Sequence, residues 1–258
     1  MGTLKHYADR FAPLLAFVGV LLAWEAACRL FAIPAFVLPA PSAVIASTTE
    51  IGAGRWVQHL LATVQIALIG YLVAILLALP LAVMITHSRL LSRTLLPWLI
   101  IIQSTPIVAI APIIVVTLGA GMLPRVVITT LIAFFPLVIA TATGLASVPD
   151  ELLELSRSLR ASRSREYWQI RMPYAVPHIF SALKVAITLA VIGAVVAEFV
   201  AAEVGLGYLI LFATSTFKVP MAFAALTLLV ACSLLLYGVI VLAQRLLCPW
   251  SLGKEAGQ

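Results

Sequence analysis

Charged residues are scarce in this chain. Only 10% of its 258 residues are Asp, Glu, Lys or Arg, whereas 63% are hydrophobic, and the mean hydropathy is +1.15. A soluble domain needs a largely polar surface, so this composition indicates an integral membrane protein. The formal net charge is nevertheless +6. In a membrane protein such an excess is explained by basic residues held on the inner side, so we expect no nucleic-acid partner.

Residues that bind metals or react with substrates are also few. Cys28, Cys232 and Cys248 lie far apart without a CxxC pair, and the four histidines are equally dispersed. This spacing favours packing roles for the cysteines over a disulfide or a metal site. No cluster of His, Asp or Cys resembles the catalytic set that a membrane-embedded enzyme needs. The pattern GxxxxGK[ST] of a phosphate-binding loop is missing as well. We therefore expect no catalytic residue, metal or cofactor in this chain.

What the chain does contain is long apolar runs. A transmembrane helix needs about 20 such residues, so the runs predict an all-α membrane protein with six spans in one domain, 1–258. The third run contains Pro97, Pro106 and Pro112, which predicts kinks or irregular backbone facing protein or water rather than lipid. The predicted spans are 11–31, 57–86, 94–118, 122–147, 176–201 and 219–247.

The positions of Lys and Arg near the span ends predict the orientation. With the N-terminus inside, eleven basic residues lie on the inner side and four lie on the outer side. One more, Lys184, falls within the fifth run. Basic residues accumulate on the cytoplasmic side of membrane proteins. Both termini and the segment 149–173 are therefore predicted to be cytoplasmic.

The segment 149–173, PDELLELSRSLRASRSREYWQIRMP, holds nine charged side chains in an otherwise apolar chain. Proline followed by two acids suits the first turn of a helix, and Ser162 suits the cap of a second short helix that ends near Pro173. The residues alone leave two interpretations open. The segment is either a pair of surface helices presented to a cytoplasmic partner or a solvated loop with arginines along the membrane surface. An apolar face of the first helix is formed by Leu152, Leu155 (or Ser156) and Leu159.

The spacing within this segment resembles the EAA loop of ATP-binding-cassette (ABC) importer permeases. That motif reads Glu-Ala-Ala, three residues, Gly, nine residues, and Ile-x-Leu-Pro. The stretches IPAFVLPAPSAVI, AVIGAVVAEFV and GLGYLI resemble the branch that handles nitrate, sulfonates and taurine. The variant SLRAS with IRMP resembles a subset for pyrimidine or flavin vitamin precursors. The motif positions are Glu154, Leu155, Ser156, Arg160, Ala161, Ile170 and Pro173.

The resemblance implies a type I importer permease of the bacterial inner membrane. In that family the loop is a coupling helix that docks on a cytoplasmic ATPase, and two permease copies work with two ATPases that bind ATP and Mg²⁺. A periplasmic or lipid-anchored binding protein delivers the solute. Leu155 departs from the small residue of the motif, and Arg160 replaces its glycine. A left-handed backbone at Arg160 would cost about 1–2 kcal/mol, so the turn either avoids that conformation or tolerates strain.

Polar side chains inside the spans are candidates for the translocation path, because such groups usually face protein, water or one another. The polar side chains of the fifth span fall within an arc of about 100° when the span is drawn as a helix. The alternative is that Lys184 reaches the inner surface and Glu198 lies near the outer one. Other candidates lie in the second and third spans. The set is Ser181, Lys184, Thr188 and Glu198 in the fifth span, with Gln65, Gln103, Ser104 and Thr105.

Two further local predictions follow from spacing and residue type. Glu25 and Arg29 are four residues apart, which favours an ion pair within one helix. Tyr167 and Trp168 are predicted to pack at an interface rather than to bind a ligand.

An alternative function is an ion-coupled secondary transporter that uses Glu198. Such carriers often consist of two inverted halves, and no internal repeat is evident here. Dependence on ATP distinguishes the two functions.

Overall fold

The computed structural model describes residues 2–251, apart from the side chains of residues 2–11, 13 and 89. Helices account for most of this part of the chain, and it contains no β-strand. Lys254, which contributes to the predicted inner charge, lies outside the described residues. The helices are α1 (Gly2–Leu30), α2 (Pro41–Ser47), α3 (Ala53–His87), α4 (Arg89–Gln103), α5 (Ile107–Leu118), α6 (Met122–Ala146), α7 (Asp150–Ser158), α8 (Arg163–Glu166), α9 (Met172–Ala201), α10 (Leu206–Ser215) and α11 (Val219–Leu247).

Four helical segments are long and apolar enough to cross a membrane: Ala53–His87, Met122–Ala146, Arg163–Ala201 and Val219–Leu247. A fifth span results if the bent pair Leu90–Gln103 and Ile107–Leu118 is counted as one. The predicted first span, 11–31, overlaps α1 except for its last residue, and α1 is not among these segments in the described part of the chain. The all-α membrane fold is confirmed, whereas the count of six spans stays a prediction.

The predicted irregularity of the third span is confirmed. Helices α4 and α5 meet at 92°, and the break falls at Ser104, Thr105 and Pro106. Proline at 106 has no N–H to donate and disfavours helical geometry in the residue before it, so a continuous helix is interrupted at this point. Pro97 and Pro112, by contrast, lie inside α4 and α5.

Helices α3, α6 and α9 form the centre of the molecule, and they approach closely because small residues face one another. A Cβ added to Gly193 of α9 would lie 2.9 Å from the Cα of Thr129 in α6. A Cβ added to Gly70 of α3 would lie 2.6 Å from the Cβ of Thr129. Thr130 also donates a hydrogen bond of 3.2 Å to the carbonyl of Gly70. Small residues and interhelical hydrogen bonds of this kind hold transmembrane helices together where lipid gives no hydrophobic driving force.

At the C-terminal end of α1, the short helix α2 is attached to this long helix. Glu25 and Arg29 form the predicted ion pair within α1, at 2.6 Å. The same carboxylate accepts hydrogen bonds from the backbone N–H of Ser42, at 3.0 Å, and from its hydroxyl, at 2.7 Å. Ser42 lies in the first turn of α2, so Glu25 attaches this helix to α1.

The end predicted for the second short helix of segment 149–173 is wrong. Helix α8 passes through a π-helical turn, Tyr167–Arg171, directly into α9. Pro173 does not terminate a helix, because it lies at the second residue of α9, directly after the π-helical turn, and the irregular hydrogen bonding of such a turn accommodates a residue without an N–H. The fifth span is consequently one helical segment, Arg163–Ala201.

Candidate coupling and translocation sites

The first motif positions lie on α7, a short amphipathic helix. On one face of α7, Leu153 and Ser156 are buried against the rest of the protein, and Ser156 is 5% exposed. Leu155 and Leu159 point away from the protein, with 56% and 73% of their surface exposed. The small residue of the motif is therefore required by packing within this chain, whereas the exposed leucines are free to contact another molecule.

Arg160 ends α7 in the left-handed conformation, with φ of 54°. Its N–H donates to the carbonyl of Arg157 at 2.9 Å, and the N–H of Ala161 donates to that of Ser156 at 3.0 Å. These two bonds form a Schellman motif, in which the residue that turns the chain is usually glycine. The sequence left open whether the turn avoids the left-handed conformation or tolerates its strain; the structure shows the strained, left-handed turn.

A groove of about 320 Å³ separates α7 from α8 and the π-helical turn. Ser162 caps α8 as predicted, since its hydroxyl accepts a hydrogen bond of 3.3 Å from the N–H of Arg165. Ile170, another motif position, lies in the wall of this groove. The groove brings most of the predicted coupling positions together. Its lining is Leu152, Leu155, Ser156, Leu159, Ala161, Arg165, Glu166, Gln169 and Ile170.

Two side chains attach this segment to the membrane helices, and one of them, Arg171, was not singled out by the sequence. Arg171 forms an ion pair of 3.0 Å with Glu166, and it donates to the carbonyl of Leu145, near the end of α6, at 3.3 Å. Tyr167 is buried, whereas Trp168 is 65% exposed. The hydroxyl of Tyr167 lies 3.1 Å from the hydroxyl of Thr86 in α3. Movement of segment 149–173 would therefore be transmitted to α3 and α6 as well as to α9.

The path candidates do not form one surface. Ser181 is exposed and Lys184 and Thr188 are partly exposed on α9, whereas Glu198 is 1% exposed and faces the interior of the chain. Gln65 is exposed on α3. Gln103, Ser104 and Thr105 are exposed at the break between α4 and α5. Apart from Glu198, the candidates are thus accessible to a second chain, to lipid or to solute.

Glu198 instead holds the start of α10. Its Oε2 accepts a hydrogen bond of 2.7 Å from the N–H of Gly207. Gly205 has φ of 141°, and a Cβ at this position would overlap the carboxyl group of Glu198. Thr63 of α3 accepts a bond of 2.8 Å from the N–H of Leu206. This close approach explains why Gly205 and Gly207 of the GLGYLI stretch have no side chain. The spacing of polar residues along α9 did not reveal it.

A comparison with protein families identifies the chain. The family described as binding-protein-dependent transport system inner membrane component matches residues 70–251, which include α6, segment 149–173, α9 and α11. The chain belongs to this family. The permease is therefore a membrane subunit of an ABC transporter, and it is a transport subunit rather than an enzyme.

Several relatives are similar to the permease over most of their length. A riboflavin transport system permease protein from Chloroflexus aurantiacus is 38% identical over 232 residues, which are 90% of this chain and 87% of the relative. A formylaminopyrimidine transport permease protein from Halalkalibacterium halodurans is 30% identical over 247 residues, which are 96% and 98%. A probable ABC transporter permease protein from Haemophilus influenzae is 37% identical over 225 residues, which are 87% and 91%.

The fold is similar to that of a solved transporter. The inward-facing MetNI methionine ABC transporter superposes with a TM-score of 0.63 at 21% identity, covering 71% of the permease and 92% of the solved chain. The family favours the ATP-driven importer over the ion-coupled carrier.

Proposed function

We propose that two copies of this permease form a homodimer that works with two cytoplasmic ATPases and a separate solute-binding protein. One chain contributes one segment 149–173, whereas two ATPases that close on each other need two such contacts. The ATPases supply the ATP and Mg²⁺ sites. Both termini face the cytoplasm, in agreement with the distribution of basic residues.

The observation that carries this proposal is the two-sided character of α7. Leu153 and Ser156 are buried on one face, while Leu155 and Leu159 are exposed beside a groove. Exposed leucines next to a concave surface are suited to burial against a partner. Closure of the ATPases would move α7, and the contacts of Arg171 and Tyr167 would carry that movement into the spans.

The solute would pass between the two copies, past the exposed polar side chains of α9 and the break in the third span. Ser181, Lys184 and Thr188 would line the path on one side, with Gln65, Gln103 and Ser104 as further lining residues. Glu198 contributes indirectly, because it fixes α10 rather than facing the path.

For the solute we propose a flavin or pyrimidine vitamin precursor. Two of the relatives described above are named for riboflavin and formylaminopyrimidine transport. A sulfonate permease from Bacillus subtilis is 26% identical, so a sulfonate is the less favoured solute.

Reconstituted vesicles test this function. The permease, its ATPase and its binding protein should take up labelled riboflavin or aminopyrimidine only when ATP is present on the ATPase side. Mass measurement of the solubilised complex should give two permeases and two ATPases. Uptake by the permease alone, driven by a proton or sodium gradient, would contradict the proposal. The ligand that co-purifies with the binding protein decides between the solutes.

A further inference from the structure

A second cavity, of about 910 Å³, lies beside segment 149–173 and is lined largely by cationic and polar groups. It is enclosed by the end of α3, the start of α4 and the region from α7 to the π-helical turn. The leucine-lined groove is separate, although the two share Ala161 and Glu166. The lining residues are Thr86, His87, Ser88, Arg157, Ala161, Arg163, Glu166, Tyr167 and Arg171.

The charges of this cavity are unbalanced. Its three arginines face one carboxylate, that of Glu166, and this carboxylate is already paired with Arg171. Arg157 and Arg163 are exposed, and neither has an ion-pair partner among the residues that the structure describes. Guanidinium groups bind phosphate oxygens in pairs of parallel hydrogen bonds. The cavity is therefore suited to a phosphate-bearing anion.

The start of α4 adds to this preference. Ser88 lines the cavity and caps α4, accepting a hydrogen bond of 3.4 Å from the N–H of Leu91. The first turn of a helix has backbone N–H groups without intrahelical acceptors and carries a partial positive charge. Helix α4 has 15 residues, so its N-terminal end supports the arginines in attracting an anion.

An apolar groove of about 310 Å³ lies next to the charged cavity and shares Thr86 and Arg171 with it. The groove lies between α3, α4 and α6. Its threonines are satisfied locally, since Thr86 and Thr143 donate to carbonyls one turn earlier in their own helices. The rest of its surface is mostly apolar and is formed by Ile85, Leu96, Ile139, Ala142 and Ala146, with Ser92.

From the shared boundary of a cationic cavity and an apolar groove, we propose that the permease binds an anionic phospholipid of the cytoplasmic leaflet. The lipid phosphate contacts Arg157, Arg163 and Arg171, and an acyl chain occupies the groove beside Ala146. Basic pockets between membrane helices on the cytoplasmic side bind anionic head groups in this way. A free phosphate compound carries the same phosphate group as the lipid head group, but it has no acyl chain to occupy the groove.

The lipid would contact α3, α4, α6 and segment 149–173 together. This proposal goes beyond the transport function and uses only its assignment of this end to the cytoplasm. Lipid binding is measured without transport, so failure of one proposal does not decide the other.

The test is native mass spectrometry of the full chain in detergent, with phosphatidylglycerol or phosphatidylcholine added. The wild type should retain phosphatidylglycerol in preference to phosphatidylcholine. Arg157→Gln/Arg163→Gln should weaken that retention about tenfold or more, because two charge-assisted contacts are lost. The control Arg165→Gln/Arg245→Gln removes equal charge from exposed positions of the predicted inner side and should retain phosphatidylglycerol.

Further measurements distinguish the source of the phosphate. Ala146→Phe should displace the lipid by filling the groove, whereas millimolar inorganic phosphate should not displace it. Displacement by inorganic phosphate together with normal binding by Ala146→Phe would show a free-anion site and overturn the lipid assignment. Equal retention of the two lipids, or equal loss in both double variants, would overturn it as well.

Loss of phosphatidylglycerol on addition of the ATPase would mean that acidic side chains of that partner occupy the cavity, which also contradicts the proposal. The helical circular dichroism of each variant checks its folding.

Discussion

Arg160 holds a backbone conformation that is unfavourable for any residue with a side chain. Its φ of 54° brings Cβ close to the following carbonyl oxygen, which costs about 1–2 kcal/mol of conformational free energy. The two hydrogen bonds that close the turn persist despite this strain. The guanidinium is exposed and has no ion-pair partner among the described residues, so the backbone determines the turn.

Arg160→Gly should therefore stabilise the permease by about 1 kcal/mol, because glycine adopts the left-handed conformation without penalty. The thermal midpoint in detergent should rise, and coupling should stay near normal. Arg157→Gly is the matched control: it makes the same substitution inside α7, where glycine costs about 1 kcal/mol. A lower midpoint for Arg160→Gly would mean that the guanidinium makes a stabilising contact in the assembled transporter.

Single positions also show what sequence reasoning could and could not reach. Spacing located the turn at Arg160 and the pair Glu25–Arg29, since both depend on neighbours within one turn. The contacts of Glu198 with Gly207 and of Arg171 with Leu145 join separate elements. No periodicity along one helix reveals them. Glu198 lies at the edge of the helical arc predicted for α9, where a small rotation decides between the interior and the surface; it is buried, whereas Ser181 is exposed and Lys184 and Thr188 are partly exposed.

At the level of elements, hydropathy predicted the long helices well because burial in lipid requires continuous apolar runs. It did not predict the 92° bend between α4 and α5 in detail, although the prolines indicated irregularity. It also missed the merging of α8 with α9. The helix end was predicted from Pro173, whereas the chain enters α9 through a π-helical turn, Tyr167–Arg171, directly before this proline.

The packing of α9 on α6 gives a prediction for helix association. Gly193→Ala should lower the thermal midpoint, because the new methyl group would lie 2.9 Å from the Cα of Thr129, a backbone atom that cannot move aside. Overpacking of this kind costs about 1–3 kcal/mol. Gly238→Ala on α11, where the added Cβ meets no atom within 4 Å, should leave the midpoint unchanged or raise it. Equal effects of the two variants would contradict the close approach.

The attachment of α10 gives a second prediction at this scale. Glu198→Ala removes the acceptor of the Gly207 N–H, so hydrogen exchange in peptides covering 203–215 should accelerate roughly tenfold or more. Glu203→Ala changes an exposed acid in the same loop and should leave exchange unaltered. Unchanged exchange in Glu198→Ala would show that Thr63 and Leu206 hold the helix without the carboxylate.

At the scale of the whole molecule, α7 has two different faces: Leu153 and Ser156 are buried within the chain, whereas Leu155 and Leu159 are exposed beside a groove. Its buried side gives Ser156 a role inside this chain. Ser156→Trp would consequently disturb the position of α7 itself, and loss of coupling in that variant would not by itself identify a contact with the ATPase. Substitutions on the exposed side are more informative.

Leu155→Glu/Leu159→Glu should abolish co-purification of the ATPase and substrate-stimulated ATP hydrolysis in vesicles, because burial of two carboxylates at an apolar contact is strongly unfavourable. Glu154→Lys, which reverses an exposed charge on the same helix, should weaken docking to a smaller extent.

Ser158→Glu serves as the matched control, since Ser158 is exposed on α7 but does not line the groove. This variant should still bind the ATPase. The folded state of each variant is checked by its thermal midpoint, which should stay near that of the wild type because both leucines are solvent-exposed in the single chain. If the double leucine variant binds the ATPase and couples normally, the exposed face of α7 is not the contact, and another surface of segment 149–173 must transmit the movement.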